Sequence, residues 1–240
     1  MIVVLAIDAL ELSLVESFRC THLMQKYYGK TDISEFSQPR TMVLWSSFAT
    51  GKNQEKVVLA DGDKEMWNYK FNKPETLFST FKNSAVIDLP GYSYDLFQHE
   101  EERKLLKSYF EVTGDEKKEE IRKAYNDHAF AHHRKIRQQF QQALSADHDF
   151  VLGYFSIADV IGHLNFGNRM LMKMIYRELD EIAASVKEPM IVLSDHGMQA
   201  IGMFGDHSSY GFWSTGYQDL GTPKITDFRN VIEKMKVNEA

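Results

Sequence analysis

The segment IVVLAID, residues 2–8, decides the fold class of this 240-residue chain. A short, continuous and mostly β-branched apolar run is typical of a strand that is buried on both faces, as in a parallel sheet. The run ends at Asp8, which we therefore expect at the carboxyl end of the strand. Three further runs of this kind are SAVID (residues 84–88), FVLGYFSI (residues 150–157) and MIVLSD (residues 190–195).

Helical patterns fill the intervals between these runs. Residues 119–144 place apolar side chains along one face of a helix, and residues 171–186 repeat the pattern before the last strand. Alternating strands and helices predict an α/β fold with a mostly parallel central sheet and helices on both faces. We expect one domain over residues 1–240, in which residues 62–118 form a small insertion or cap.

Composition narrows the class of protein. The formal net charge of −6 argues against a dedicated nucleic-acid binder, which usually carries a basic stripe. A single cysteine, Cys20, excludes an intramolecular disulfide and fits a reducing compartment. No apolar run is long enough for a transmembrane helix, and residues 1–10 lack the basic region of a signal peptide. We therefore expect a cytoplasmic enzyme without membrane association, and the oligomeric state stays open.

Acidic and imidazole side chains cluster at the predicted strand ends and in the loops after them. Parallel sheets bind ligands at the carboxyl ends of their strands, so these side chains are candidates for one site. Carboxylate oxygens bind hard divalent cations, whereas zinc and manganese also accept neutral imidazole nitrogen. Three aspartates and three histidines suffice for two adjacent ions that also hold water or substrate oxygen. The candidates are Asp8, Asp159, His163, Asp195, His196 and His207.

The order of these segments resembles the alkaline phosphatase superfamily, and within it the type I phosphodiesterase/nucleotide pyrophosphatase group. The resembling segments, in chain order, are IDAL (7–10), RTMVLWSSFATG (40–51), DVIGH (159–163), SDHGM (194–198) and GDHSSYG (205–211). The family places its nucleophilic threonine ten residues before the last glycine of the second segment, which corresponds to Thr41. The resemblance implies an alkaline-phosphatase-like three-layer sandwich.

The resemblance also implies a role for each residue. Asp159, His163 and His207 would bind one divalent ion. The other ion would be bound by Asp8, Asp195, His196 and the Thr41 oxygen. Contact with a metal ion would favour the Thr41 alkoxide, whose attack on phosphorus would yield a phosphothreonine. The three histidines favour Zn²⁺, with Mn²⁺ as the alternative, over Mg²⁺.

Two positions depart from the family pattern. The asparagine that the family places three residues after the nucleophile is Leu44 here. Arg40, or Ser46 and Ser47, could supply a replacement donor to the phosphate, and we take Arg40 as the candidate substrate-binding residue. The glycine after the first strand-end aspartate is Ala9.

We therefore predict a two-metal phosphodiesterase or nucleotide pyrophosphatase that acts on a small phosphorylated substrate, with a nucleotide as one candidate. A phosphomonoesterase or phosphomutase of the same superfamily is one alternative. Leu44 motivates another alternative, a catalytically weak protein that binds a phosphorylated ligand through its metal ions.

Some polar residues favour an ordinary structural interpretation. His128 and His132 are four residues apart on the helix at 119–144, a spacing that can bind zinc. No strand-end carboxylate is predicted near them, so we interpret both as packed or boundary histidines. Asp206, beside His207, is interpreted as a supporting or loop residue and not as a ligand.

Overall fold

The computed structural model describes residues 1–239, so that Ala240 of the predicted single domain lies outside the described residues. The strands in this range are β1 (Ile2–Ile7), β2 (Tyr27–Asp32), β3 (Ser84–Ile87), β4 (Phe150–Phe155), β5 (Met190–Ser194), β6 (Met198–Ile201), β7 (Phe204–His207) and β8 (Tyr210–Thr215). The α-helices are α1 (Leu12–Phe18), α2 (Thr21–Met24), α3 (Thr41–Thr50), α4 (Glu55–Val58), α5 (Leu96–Glu111), α6 (Asp115–Leu144), α7 (Ile157–Asn165), α8 (Arg169–Ser185) and α9 (Phe228–Glu239). Short 3-10 turns lie at Met66–Asn68, Lys73–Glu75, Leu77–Thr80 and Ile225–Asp227.

The central sheet has six strands in the order β2-β8-β5-β1-β4-β3. Strands β5, β1, β4 and β3 run parallel, and β8 pairs antiparallel with both β5 and β2. In register, Val3 of β1 lies between Met190 and Val151. The predicted α/β class with a mostly parallel central sheet is therefore confirmed. Strands β6 and β7 form a separate antiparallel hairpin.

Helices cover both faces of the sheet because successive side chains of a buried strand point to opposite sides. Val3, Leu5 and Ile7 of β1 belong to one core, to which α1, α6, α7 and α8 contribute. Ile2, Val4 and Ala6 belong to the other core, which α3 and α9 cover. A continuous apolar run therefore supplies two cores at once, and the result is a three-layer arrangement.

The range 62–118, predicted as a small insertion or cap, contains an element of the central sheet. Its residues Ser84–Ile87 form β3, the edge strand that pairs in parallel with β4. Farther along the range, α5 packs against α6. The edge strand thus belongs to the sheet, and a capping role for the remainder stays a prediction. Within residues 1–239, none of the helices combines the length and apolar character needed to cross a bilayer.

Removal of the Phe140 ring is expected to test the packing of α6 on the sheet. This side chain is completely buried, and its ring lies edge-on to Phe155, with centroids 5.6 Å apart. It also covers Gly153 of β4, where a Cβ atom would collide with the ring. We expect Phe140→Ala to lower the free energy of unfolding, measured in urea, by about 3–5 kcal/mol because a large cavity results. Met170→Ala is the control because Met170 is 84% exposed, and equal losses in both variants would contradict this account.

Candidate functional site

Strand ends from the centre of the sheet converge at one edge. Asp8 directly follows β1 and Asp195 directly follows β5, and these two strands are neighbours. Asp159 lies in the first turn of α7, the helix that follows β4 on the other side of β1. Parallel pairing therefore brings together three aspartates that lie up to 187 positions apart in the chain.

Asp159, His163 and His207 form a first cluster, which we call group one. The Oδ1 atom of Asp159 lies 3.3 Å from Nε2 of His163 and 3.3 Å from Nε2 of His207. Asp159 and His163 share a helix face because they are four residues apart on α7. His207, the last residue of β7, reaches the cluster from the hairpin.

Asp8, Asp195 and His196 form a second cluster, which we call group two. Nε2 of His196 lies 3.3 Å from Oδ1 of Asp8 and 3.4 Å from Oδ2 of Asp195. The hydroxyl of Thr41, the first residue of α3, lies 3.3 Å from the same nitrogen. The rings of His196 and His207 stack with centroids 3.8 Å apart, so the two groups are adjacent.

The three histidines are oriented in the same way. Nδ1 of His163 contacts the carbonyl oxygen of Gly205 at 3.3 Å, and Nδ1 of His196 contacts that of Gly197 at 3.1 Å. Nδ1 of His207 contacts the carbonyl oxygen of Pro39 at 2.9 Å. A carbonyl oxygen can only accept a hydrogen bond, so each Nδ1 carries a hydrogen and each Nε2 points away from that carbonyl toward the carboxylates. Metal-binding histidines are commonly held in this way.

Several buried polar atoms at the centre of the two groups have no hydrogen-bond partner among the described residues. They are Oδ1 of Asp8, Oδ1 of Asp159, both carboxylate oxygens of Asp195, and Nε2 of His207. An unsatisfied buried polar atom costs about 1–3 kcal/mol, and more when it is charged, so a concentration of them at one point needs an explanation. Divalent cations between these atoms fit the donor set, because each atom would become a ligand.

The electrostatics of group two support the same interpretation. Burial and then the charge of Asp159 raise the pKa of Asp8 to about 7. Burial and then the charge of Asp8 raise the pKa of Asp195 well above its usual range. For His196, burial and then the charge of His207 hold the pKa well below its usual range, so this ring is neutral. Nearby cations would favour the ionised carboxylates, and a neutral imidazole is the form that binds a metal.

Two residues that the sequence analysis missed position the second group. The hydroxyl of Tyr154 donates to Oδ2 of Asp8 at 2.5 Å. The carboxylate of Glu11 is buried and accepts from the backbone N–H of Met198 at 3.2 Å and from the hydroxyl of Tyr210 at 2.8 Å. Tyr154 could have been suspected, because a tyrosine in an apolar strand needs a partner for its hydroxyl. No comparable pattern in the sequence indicates a supporting role for Glu11.

The departures from the family pattern have local structural correlates. Ala9 adopts a left-handed conformation with φ of 54°, which glycine tolerates better than alanine. Leu44 is completely buried in α3. Ser46 and Ser47 are also completely buried, and the Ser47 hydroxyl donates to the carbonyl of Val43. A phosphate-binding role for either serine stays a prediction.

Arg40 precedes Thr41 but is engaged by acidic residues. Its Nε atom lies 3.1 Å from Oδ1 of Asp63, and its Nη1 atom lies 3.7 Å from Oε1 of Glu55. The side chain lines a shallow cavity together with Thr41 and His207. A substrate-binding role for Arg40 stays a prediction, and it would require exchange of these acidic partners for the ligand.

A cavity of about 260 Å³ adjoins both groups. Its lining includes Asp8, Thr41 and Asp159. It also includes Trp67, whose ring stacks nearly parallel to that of Tyr94, and Arg103, whose guanidinium lies 4.3 Å from the centre of the Trp67 ring. The cavity thus combines the acidic and imidazole groups with an aromatic and cationic wall.

No family model and no curated protein matches the chain. Among solved structures, murine ectonucleotide pyrophosphatase/phosphodiesterase 5 is similar, with 12% identity and a TM-score of 0.43. The alignment covers 84% of this chain but only 58% of that protein.

Proposed function

We propose that this protein is a two-metal hydrolase of phosphoric diesters or nucleotide pyrophosphates that acts through a phosphothreonine at Thr41. One observation carries the proposal. The Nε2 atoms of three histidines point toward buried carboxylate oxygens that have no hydrogen-bond partner among residues 1–239, and the Thr41 hydroxyl lies beside them. This is the ligand inventory of two adjacent divalent ions with a nucleophile at their edge.

Group one would hold one ion, and group two together with the Thr41 oxygen would hold the other. A mixture of imidazole nitrogen and carboxylate oxygen suits Zn²⁺ best and Mn²⁺ next, whereas Mg²⁺ prefers a shell of oxygens. When bound, the ions would neutralise the buried carboxylates and promote ionisation of the Thr41 hydroxyl.

The backbone of α3 offers donors for the phosphate oxygens. Thr41 is the first residue of this ten-residue helix, and no side chain caps its N-terminus. The first N–H groups of a helix have no partner within it, and the helix dipole favours negative charge at the same point. These N–H groups would therefore serve where the family uses the asparagine that Leu44 replaces.

The proposed reaction has two steps. Thr41 Oγ1 forms a bond to phosphorus while the bond to the leaving oxygen breaks, and the leaving group takes up the proton that the threonine loses. Water then attacks the phosphothreonine, which releases a phosphate monoester and restores the hydroxyl. Divided in this way, a difficult displacement becomes two easier ones.

The cavity wall favours a nucleotide among small phosphorylated substrates. Trp67 and Tyr94 line the cavity with their rings nearly parallel, at an interplanar angle of 16°, and these aromatic rings could pack against the edge of a base. The guanidinium of Arg103 is held against Trp67 and could contact a phosphate remote from the reacting one.

Paired ester substrates test the proposed reaction class. We expect the zinc-loaded protein to hydrolyse bis-p-nitrophenyl phosphate faster than p-nitrophenyl phosphate, as judged by kcat/KM from release of p-nitrophenolate. Faster cleavage of the monoester would favour a phosphomonoesterase or phosphomutase. Absence of turnover with either ester, despite two bound ions in groups one and two, would favour a binding protein, the alternative that Leu44 motivates.

A further inference from the structure

A second set of acidic and imidazole side chains lies outside groups one and two. Asp88 follows β3, His99 and Glu102 lie on α5, and His132 lies on α6. All four residues are buried, with exposed fractions between 3% and 5%. Three separate elements therefore bring their ionisable side chains to one buried point, which is costly unless those groups are compensated.

The two imidazoles of this set are oriented as in groups one and two. Nε2 of His99 and Nε2 of His132 lie 2.8 Å and 3.0 Å from the same atom, Oδ2 of Asp88. On the opposite side, the Nδ1 atoms of the two rings lie 3.1 Å and 3.0 Å from the two carboxylate oxygens of Glu102. Glu102 thus takes the place that backbone carbonyls occupy in groups one and two.

One atom in this arrangement lacks a hydrogen bond. Nε2 of His132 is buried and close to Asp88, but it makes no hydrogen bond with any described residue. His132 as a whole is 97% buried, since its exposed fraction is 3%. A metal ligand has these surroundings, because this buried ring nitrogen has no hydrogen bond and lies beside a carboxylate and a second imidazole.

We propose that Asp88, His99 and His132 bind a third divalent cation, Zn²⁺ by preference, through Asp88 Oδ2 and the two Nε2 atoms. Glu102 accepts both Nδ1 hydrogens and fixes the tautomer and orientation of the rings. The charges balance, because one dication and two neutral imidazoles compensate the two buried carboxylates. His128, one helical turn from His132, is not a ligand, since its Nδ1 atom contacts the amide of Gln98 at 3.0 Å.

Three protein ligands leave a coordination position open. His99 and Glu102 line the 260 Å³ cavity that also contains Asp8 and Thr41. The third site therefore adjoins the cavity of the proposed active site. The site itself does not depend on the proposed hydrolase activity, because its ligands belong to neither group.

Metal stoichiometry tests this site. The full-length protein, loaded with Zn²⁺ and freed of excess by gel filtration, is expected to hold three ions per chain by elemental analysis. His132→Gln should hold two, whereas the matched control His128→Gln should hold three, because only the first variant loses a ligand. Glu102→Gln should retain the ligands but bind the third ion about 10–100-fold more weakly.

A second measurement separates this site from groups one and two. In the double variant Asp159→Asn/Asp195→Asn, one Co²⁺ ion per chain should still bind and give a visible absorption band. Adding His132→Gln to this double variant should abolish the band. Asp88→Asn is the second test variant if His132→Gln does not fold, as judged by circular dichroism. Unchanged stoichiometry in a folded variant, or no Co²⁺ in the double variant, would mean that the four residues form a metal-free ion network, and the proposal would be wrong.

Discussion

Thr41→Ala is expected to lower kcat for bis-p-nitrophenyl phosphate by about 10³-fold or more, which corresponds to about 4 kcal/mol of transition-state stabilisation. The reason is that the variant lacks the oxygen that forms the covalent bond to phosphorus. Zinc content should stay close to that of the unmodified protein, because the acidic and imidazole ligands of both groups remain. Steady-state assays of p-nitrophenolate release measure kcat, and elemental analysis of the same sample measures the zinc content.

Thr41→Ser is the matched control for the nucleophile. It retains the hydroxyl at the first position of α3 and should preserve most of the activity. Mass spectrometry after acid quenching would reveal the p-nitrophenyl phosphoryl group that bis-p-nitrophenyl phosphate leaves on the side-chain oxygen of residue 41, both in Thr41→Ser and in the unmodified protein. Full activity in Thr41→Ala would exclude Thr41 as the nucleophile and leave water as the attacking group.

Asp195→Asn is expected to change stability in opposite directions with and without metal. Asp195 is completely buried, both of its carboxylate oxygens lack a hydrogen-bond partner among residues 1–239, and its side chain lies beside Asp8. Without metal and at neutral pH, the variant should unfold at a higher temperature than the unmodified protein, because folding no longer requires this carboxylate to be buried or protonated beside Asp8. With zinc at 100 times Kd, the unmodified protein should gain about 2.7 kcal/mol, whereas the variant should gain far less from group two.

Asp206→Asn is the control for that measurement. Asp206 adjoins His207, but its carboxylate accepts the backbone N–H of His207 and is not part of either group. Its replacement should leave zinc stoichiometry and the metal-dependent rise in melting temperature unchanged. Equal responses in Asp195→Asn and the unmodified protein would show that the assignment of group two is wrong.

The third cation would complete a regular pattern at the sheet edge. Each of the four parallel strands is followed by an aspartate, which is Asp88 after β3, Asp159 after β4, Asp8 after β1 and Asp195 after β5. Metal ions at this edge would compensate the four carboxylates, none of which lies within hydrogen-bonding distance of a lysine or arginine among the described residues.

The four parallel strands and the helices α6 and α8 were predictable because their patterns are local. The run at residues 2–7 matches β1 in full, and the predicted helix at 119–144 lies within α6. Strands β2 and β8 escaped prediction. Only Thr31 of β2 is buried, so β2 has the pattern of a half-exposed edge strand and no continuous apolar run. In β8, with the sequence YGFWST, glycine and serine interrupt the apolar residues.

The third site escaped prediction for a different reason. His132 and Asp88 are 44 positions apart, and His132 lies on the buried stripe of α6 between Tyr125 and Ile136. From the chain alone it is indistinguishable from a packed histidine. The relevant carboxylates come from β3 and α5, and their position against α6 depends on how the edge strand and the two helices pack.

The amino-acid sequence by itself determined the fold class and the chemical types gathered at the strand ends, because burial periodicity and strand polarity are encoded locally. The tertiary structure decided which nitrogen of each histidine points toward the carboxylates and which carboxylate oxygens lack a hydrogen-bond partner. It also decided that Tyr154 and Glu11 support group two. It also decided that Arg40 is paired with Asp63. These properties depend on contacts a few ångströms long between residues far apart in the chain, and such contacts exist only after the layers have packed.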